Sequence, residues 1–140
     1  MHTFKSVTGV LLAGSLALTG LAAVAATPAE IQRTLETEAR AAAPGFGGFS
    51  AARGRQFFDS THGNDWSCSS CHTARPSQPG KHAKTGKEIA PMAPAANAQR
   101  FSDAAKVEKW FKRNCNDVLG RACTAQEKGD VLAYLMSLAK

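Results

Sequence analysis

The chain has 140 residues, a formal net charge of +6 and 44% apolar residues, which suits one small domain rather than several. Its basic residues are scattered and no nucleic-acid-binding motif appears, which argues against a nucleic-acid partner. The excess positive charge fits an acidic partner or ligand instead.

The N-terminus comes first in chain order. Met1 to Lys5 carries one positive charge, Val7 to Val24 is small or apolar and uncharged, and Ala23-Val24-Ala25 offers a signal-peptidase pattern. The rival is a membrane anchor. The run is rich in Ala, Gly, Ser and Thr, and no basic stop-transfer cluster follows it, so residues 1–26 are expected to be a cleaved signal peptide and the protein periplasmic. Cleavage removes only the charge of Lys5, leaving 16 of the 17 Lys and Arg against 11 Asp and Glu, or +5. The remaining chain divides into an extension, residues 27–49, and the main domain, residues 50–140.

Pro28 to Arg40 starts with proline and sets Ile31 and Leu35 on one face, so a short helix is expected there. Residues 43–49 form a Gly/Pro linker. Ser50 is placed to N-cap a helix over Ala51 to Phe58. Next comes Cys68-Ser69-Ser70-Cys71-His72, the spacing of a covalent attachment site for c-type haem. Each thiol adds across a haem vinyl group, and the adjacent His72 then faces the iron as one axial ligand. Attachment takes place after export, so the signal peptide and the motif support each other. Residues 73–100 are rich in Pro, Gly, Lys and Ala without a lasting period, and are expected to form a long loop wrapped over the cofactor.

Ser102 is expected to cap a helix over Asp103 to about Arg113, burying Val107, Trp110 and Phe111. Thr124-Ala125-Gln126-Glu127 is a capping box for the last helix, which reaches about Leu138 with Val131, Leu132, Tyr134, Leu135 and Leu138 on its apolar stripe. No strand pattern competes, and the fold is expected to be all-α. Cys115 and Cys123 lie eight apart with no histidine beside either. A zinc site using all four cysteines is the rival, but the second pair lacks CxxC spacing and an exported chain favours a disulfide between Cys115 and Cys123.

Gly54, Phe57 and Phe58 before the haem motif, with Tyr134 and Leu135 near the end, resemble the crossing first and last helices of class I cytochromes c. The opposite axial position then decides function. By local pattern Met92 leads, because Ala90-Pro91-Met92-Ala93-Pro94 resembles the Met loop of electron-transfer cytochromes c. His62 and His82 are further candidates, and Met92 as a simple packing residue is the plain alternative. Trp66 is expected at the haem edge, Trp110 and Phe111 at the distal pocket, and Lys84, Lys87 and Arg100 near the propionates or on a solvated surface.

A narrower resemblance covers residues 53–138. TGKEIAPMAP after the haem motif, and KWFKRNC with a second cysteine eight residues on, resemble the sphaeroides haem protein (SHP) type of monohaem class I cytochrome c. That resemblance implies one covalent haem c and a distal axial asparagine directly before the first disulfide cysteine, here Asn114. It also implies the Cys115–Cys123 disulfide, O2 or NO as ligand, and reduction by a dihaem cytochrome c or a membrane cytochrome. An amide oxygen is a weak, neutral donor that prefers Fe(III), so reduction is expected to release Asn114 and open the iron. A plain helix C-cap is the structural alternative for Asn114. Turnover of bound O2 or a nitrogen oxide is a third class, for which no acid or base stands out.

Overall fold

The computed structural model describes residues 25–138. The expected signal peptide falls almost wholly on residues 1–24, outside the described residues. The described residues hold five helices: α1 (Pro28–Ala42), α2 (Ala51–Asp59), α3 (Cys68–His72), α4 (Ala104–Leu119) and α5 (Ala125–Ser137). The all-α expectation holds, with one addition. Gly80–Lys81 (β1) and Glu88–Ile89 (β2) pair antiparallel within the long loop, in register Gly80 with Ile89 and Lys81 with Glu88. The pairing spans two residues on each side, too short for any alternation to show in the sequence. No helix among the described residues is long and apolar enough to cross a membrane.

Helix starts follow side-chain chemistry. Ser50 caps α2 by accepting from the Arg53 N–H, as expected, and Thr124 with Glu127 forms the capping box of α5. Thr27 and Glu30 form another at α1, which extends two residues beyond the expected Arg40 and buries Ile31, Leu35 and Ala39. α4 departs most from expectation. Its N-cap is Asp103, whose carboxylate accepts from the Lys106 N–H at 3.0 Å, while Ser102 donates to the Gln99 carbonyl. The helix continues six residues past Arg113 and stops at Gly120, which takes the left-handed conformation (φ 68°). Asn114, Cys115, Asn116 and Asp117 have modest helix propensity, but burial of Cys115 and Val118 carries the helix through them.

The core lies between α1, α2 and α5, with Ile31, Leu35, Phe58, Phe101, Val131, Leu132, Tyr134 and Leu135 buried together. α2 crosses α5 where Gly54 meets the backbone of Asp130, so close that any Cβ at Gly54 would collide with the Asp130 carbonyl. The Asp130 side chain locks that crossing, accepting from the Ser50 N–H (2.6 Å), from Arg53 Nε (2.8 Å) and from Gln126 Nε2 (3.0 Å). The class I crossing expected from Gly54, Phe58, Tyr134 and Leu135 is present, and the Phe58 and Tyr134 rings meet edge to face at 5.6 Å.

Candidate haem site

The haem motif folds as a single helical turn. Ser67, itself buried, caps it: its hydroxyl accepts from the Ser70 N–H, and the Ser70 hydroxyl accepts from the Ser67 N–H. This Ser-x-x-Ser capping box escaped the sequence reading because its third residue is Ser rather than the usual Glu or Gln. The turn brings Cys68, Cys71 and His72 to one place beside the core, where the Phe58 ring stands 6.3 Å from the imidazole. Neither cysteine is in a disulfide. The loop backs the turn from behind. Gly80 presses on the Cys71 carbonyl with no room for a Cβ, and the Ala83 N–H donates to Cys71 Sγ at 3.3 Å.

Electrostatics fit the motif. Burial pushes the Cys68 thiol up to about 11, so it stays a neutral thiol beside the core. Burial, and after it the Arg100 charge, pulls His72 down to about 4. The imidazole is therefore neutral at physiological pH, with a lone pair to offer. Two unpaired thiols on one turn and a neutral imidazole beside them are the donor set a c-type haem requires.

The other candidates separate clearly. His62 is engaged with Phe57, its Nε2 lying 2.9 Å from the Phe57 carbonyl and its ring 4.4 Å from the phenyl centroid. His82 closes the loop tip, where Nδ1 accepts from the backbone N–H groups of Lys84 and Thr85. Met92 packs against the core, and its N–H and that of Ala93 both donate to the carbonyl of fully buried Pro76 (2.8 and 3.0 Å). Lys84 Nζ sits 4.6 Å over the Trp66 ring, Lys87 is exposed, and Arg100 is half-buried.

On α4, Asn114 is half-buried and directly precedes Cys115, which is joined to Cys123 with a Cα–Cα distance of 5.6 Å. The disulfide removes two cysteines from any four-cysteine zinc site, and no cluster of three or more His, Cys, Asp or Glu suited to a metal occurs among the described residues. Asn114 does not end its helix, so the C-cap role expected as its structural alternative belongs to Gly120. Trp110 also departs from expectation. It is 49% exposed, with the Arg113 guanidinium 5.6 Å from its ring, while Val107 and Phe111 pack against the core. The core-facing stripe of α4 runs through the partly buried Val107 and Phe111 and the buried Cys115 and Val118, which leaves Trp110 at its edge.

Residues 44–135 match the family described as a domain of unknown function, DUF1924. The cytochrome c-type protein SHP of Cereibacter sphaeroides is 46% identical over 102 residues, covering 70% of this chain and 75% of that protein. The chain belongs to the SHP family of c-type cytochromes. Within this family, cytochrome c'' of Methylophilus methylotrophus is 42% identical over 83 residues, 59% of this chain and 58% of that protein. The structure of oxidised SHP, an oxygen-binding cytochrome c, superposes with a TM-score of 0.72 at 43% identity, covering 81% of this chain and 99% of that one. The oxidised cytochrome c'' crystal structure gives 0.73 at 38% identity, covering 81% and 95%. A c-type haem follows from family membership.

Proposed function

We propose that this protein is a periplasmic monohaem cytochrome in which Cys68 and Cys71 hold one haem, His72 is the proximal ligand, and Asn114 is a distal ligand released on reduction. The haem supplies a one-electron iron couple and an axial position that O2 or NO can take. The observation that carries the reading is the state of Asn114 and its rivals. Asn114 stands half-buried on a helix pinned by the neighbouring Cys115–Cys123 disulfide, while His62 and His82 are hydrogen-bonded elsewhere and Met92 is partly buried against the core. The similarity to SHP, an oxygen-binding cytochrome c, supports it.

Because Asn114 lies inside α4, its release is a side-chain rotation on a fixed helix rather than a swing of a helix end. The disulfide keeps the backbone in place, so the amide returns to the same position on reoxidation. An electron must come from a partner, and the family resemblance points to a dihaem cytochrome c or a membrane cytochrome. Turnover of the bound gas is not part of this reading.

The test is the absorption spectrum of the haem-loaded protein with and without Asn114→Val. In the oxidised wild type a six-coordinate spectrum without a sulfur-to-iron charge-transfer band is expected, and reduction should give a high-spin form that shifts with CO. Asn114→Val should change the oxidised spectrum to an open or water-ligated form. An unchanged oxidised spectrum, or a sulfur-to-iron band assigning Met92, sinks the proposal in favour of a His72/Met92 electron carrier.

A further inference from the structure

α4 turns one face to the core and the opposite face to solvent. Val107, Phe111, Cys115 and Val118 point inward. At about 3.6 residues per turn, Lys106, Lys109 and Arg113 then point outward, with Lys112 on one flank and Trp110 on the other, and all five are exposed. Trp110, at 49%, is more exposed than any other large apolar side chain among the described residues. The Arg113 guanidinium lies 5.6 Å from the centre of its ring, so cation and aromatic surface form one patch.

The charge of this face is unbalanced. Glu108 is taken by the buried Lys128 at 2.6 Å, and Lys106 has Asp103 at 3.7 Å. Lys109, Lys112 and Arg113 have no carboxylate within ion-pair distance among the described residues, and Asp117 is the remaining acidic group on this side of the helix. The helix is also held in place. The Cys115–Cys123 disulfide and the bond from Asn64 Nδ2 to the Val118 carbonyl at 2.8 Å fix it to its neighbours, so an occupant has little backbone left to order.

We infer that the outer face of α4 docks an acidic protein surface, with Trp110 as its apolar anchor and Lys109, Lys112 and Arg113 as its charge contacts. Indole and guanidinium side by side are the composition of an interface centre, and the flanking lysines speed and orient the approach of carboxylates. A lipid surface fits less well. A helix lying on a membrane offers a broad apolar face, and here that face is turned to the core, leaving Trp110 alone beside the charges. A second copy of this chain would bring like charges together. The inference does not depend on the haem reading, but it gives that reading a neighbour, because Asn114 lies one turn beyond Trp110 on the same helix.

The experiment titrates the full exported protein with an acidic flavodoxin as probe and follows backbone amide shifts by NMR. At low salt the shifts should concentrate on residues 106–113. Lys109→Glu/Arg113→Glu should weaken binding roughly tenfold or more, whereas Lys81→Glu/Lys87→Glu, the same charge change on the exposed β1–β2 hairpin, should weaken it no more than about twofold. Trp110→Ala, which leaves the charge intact, should also cost roughly tenfold, and Trp110→Phe should recover part of that loss. All these side chains are exposed, so the variants should fold, as unchanged thermal melts would show. An equal loss from the hairpin variant overturns the assignment, because binding would then follow net charge. Unchanged binding in Trp110→Ala overturns the anchor, and shifts that are absent or fall away from α4 overturn the docking face. Phosphatidylglycerol vesicles that bind wild type but not the α4 variants, with no shifts from flavodoxin, reassign the face to a membrane and overturn the protein partner.

Discussion

At the scale of single residues, two positions show how little freedom the site leaves. Gly54 lets α2 settle on the Asp130 carbonyl, and Gly80 lets the loop settle on the Cys71 carbonyl; neither tolerates a Cβ. Replacing Gly54 by Ala sets two effects against each other. Helix propensity favours Ala by about 1 kcal/mol. The collision is with backbone, which cannot rotate away, and overpacking of this kind costs about 1–3 kcal/mol or more. The collision wins. Gly54→Ala is expected to lower the melting temperature by several degrees, and a thermal melt that is unchanged or raised would show that the helices can part at no cost. Gly54 was legible in the sequence only through the class I resemblance, whereas Gly80 gave no signal, because its close approach joins residues in different elements.

At the scale of elements, caps decide where helices begin and distant packing decides where they end. Thr124 and Glu127 were readable because a capping box is a local pattern. In the structure the Glu127 carboxylate also pairs with both terminal nitrogens of Arg121, at 2.9 and 2.7 Å. That pairing, followed by the bond from the Thr124 N–H, holds its pKa below the ordinary 4.5 despite partial burial. A carboxyl whose folded pKa is depressed stabilises the fold fully above its unfolded pKa, and that contribution is lost as pH falls through the folded value. Thermal stability should therefore hold from neutral pH to about 5 as far as this group is concerned, and fall below about 4.5. Glu127→Gln should melt lower at neutral pH and show a shallower acid decline; parallel pH profiles for the two proteins would contradict the assignment. The end of α4 was misread for the opposite reason. Asn114 and Asn116 look like stop signals locally, but the burial of Cys115 and Val118 and the left-handed Gly120 move the stop to a later turn.

At the scale of the whole molecule, α4 is anchored by a few specific ties. Only Cys115 and Val118 of its residues are buried, and its polar ties are the Lys128–Glu108 ion pair at 2.6 Å and the bond from Asn64 Nδ2 to the Val118 carbonyl at 2.8 Å. The disulfide to Cys123 is the covalent tie, closing a loop of sequence separation 8. Such a loop contributes about 2 kcal/mol by restricting the unfolded chain. The double variant Cys115→Ser/Cys123→Ser is expected to melt about 5–10 °C lower. It should also broaden the oxidised haem spectrum, since the helix carrying Asn114 loses its anchor. An unaltered spectrum alongside a lowered melt would assign the bridge to stability alone.

By itself the sequence determined what can be stated locally: a CxxCH turn with His72, the capped starts of α2 and α5, the apolar stripe of α5, and the class of the fold. These are patterns of neighbours along the chain, governed by spacing and short-range hydrogen bonds. Cysteine spacing and export favoured the Cys115–Cys123 pairing, while Asn114 came only from the resemblance to a family. Tertiary structure decided the rest. It placed Asn114 inside a helix rather than at its end, tied His62 and His82 to other partners, and turned Arg100 onto the loop through a left-handed Phe101. Each of those outcomes depends on contacts between residues far apart in sequence, where burial and competition for hydrogen-bond partners outweigh local preference.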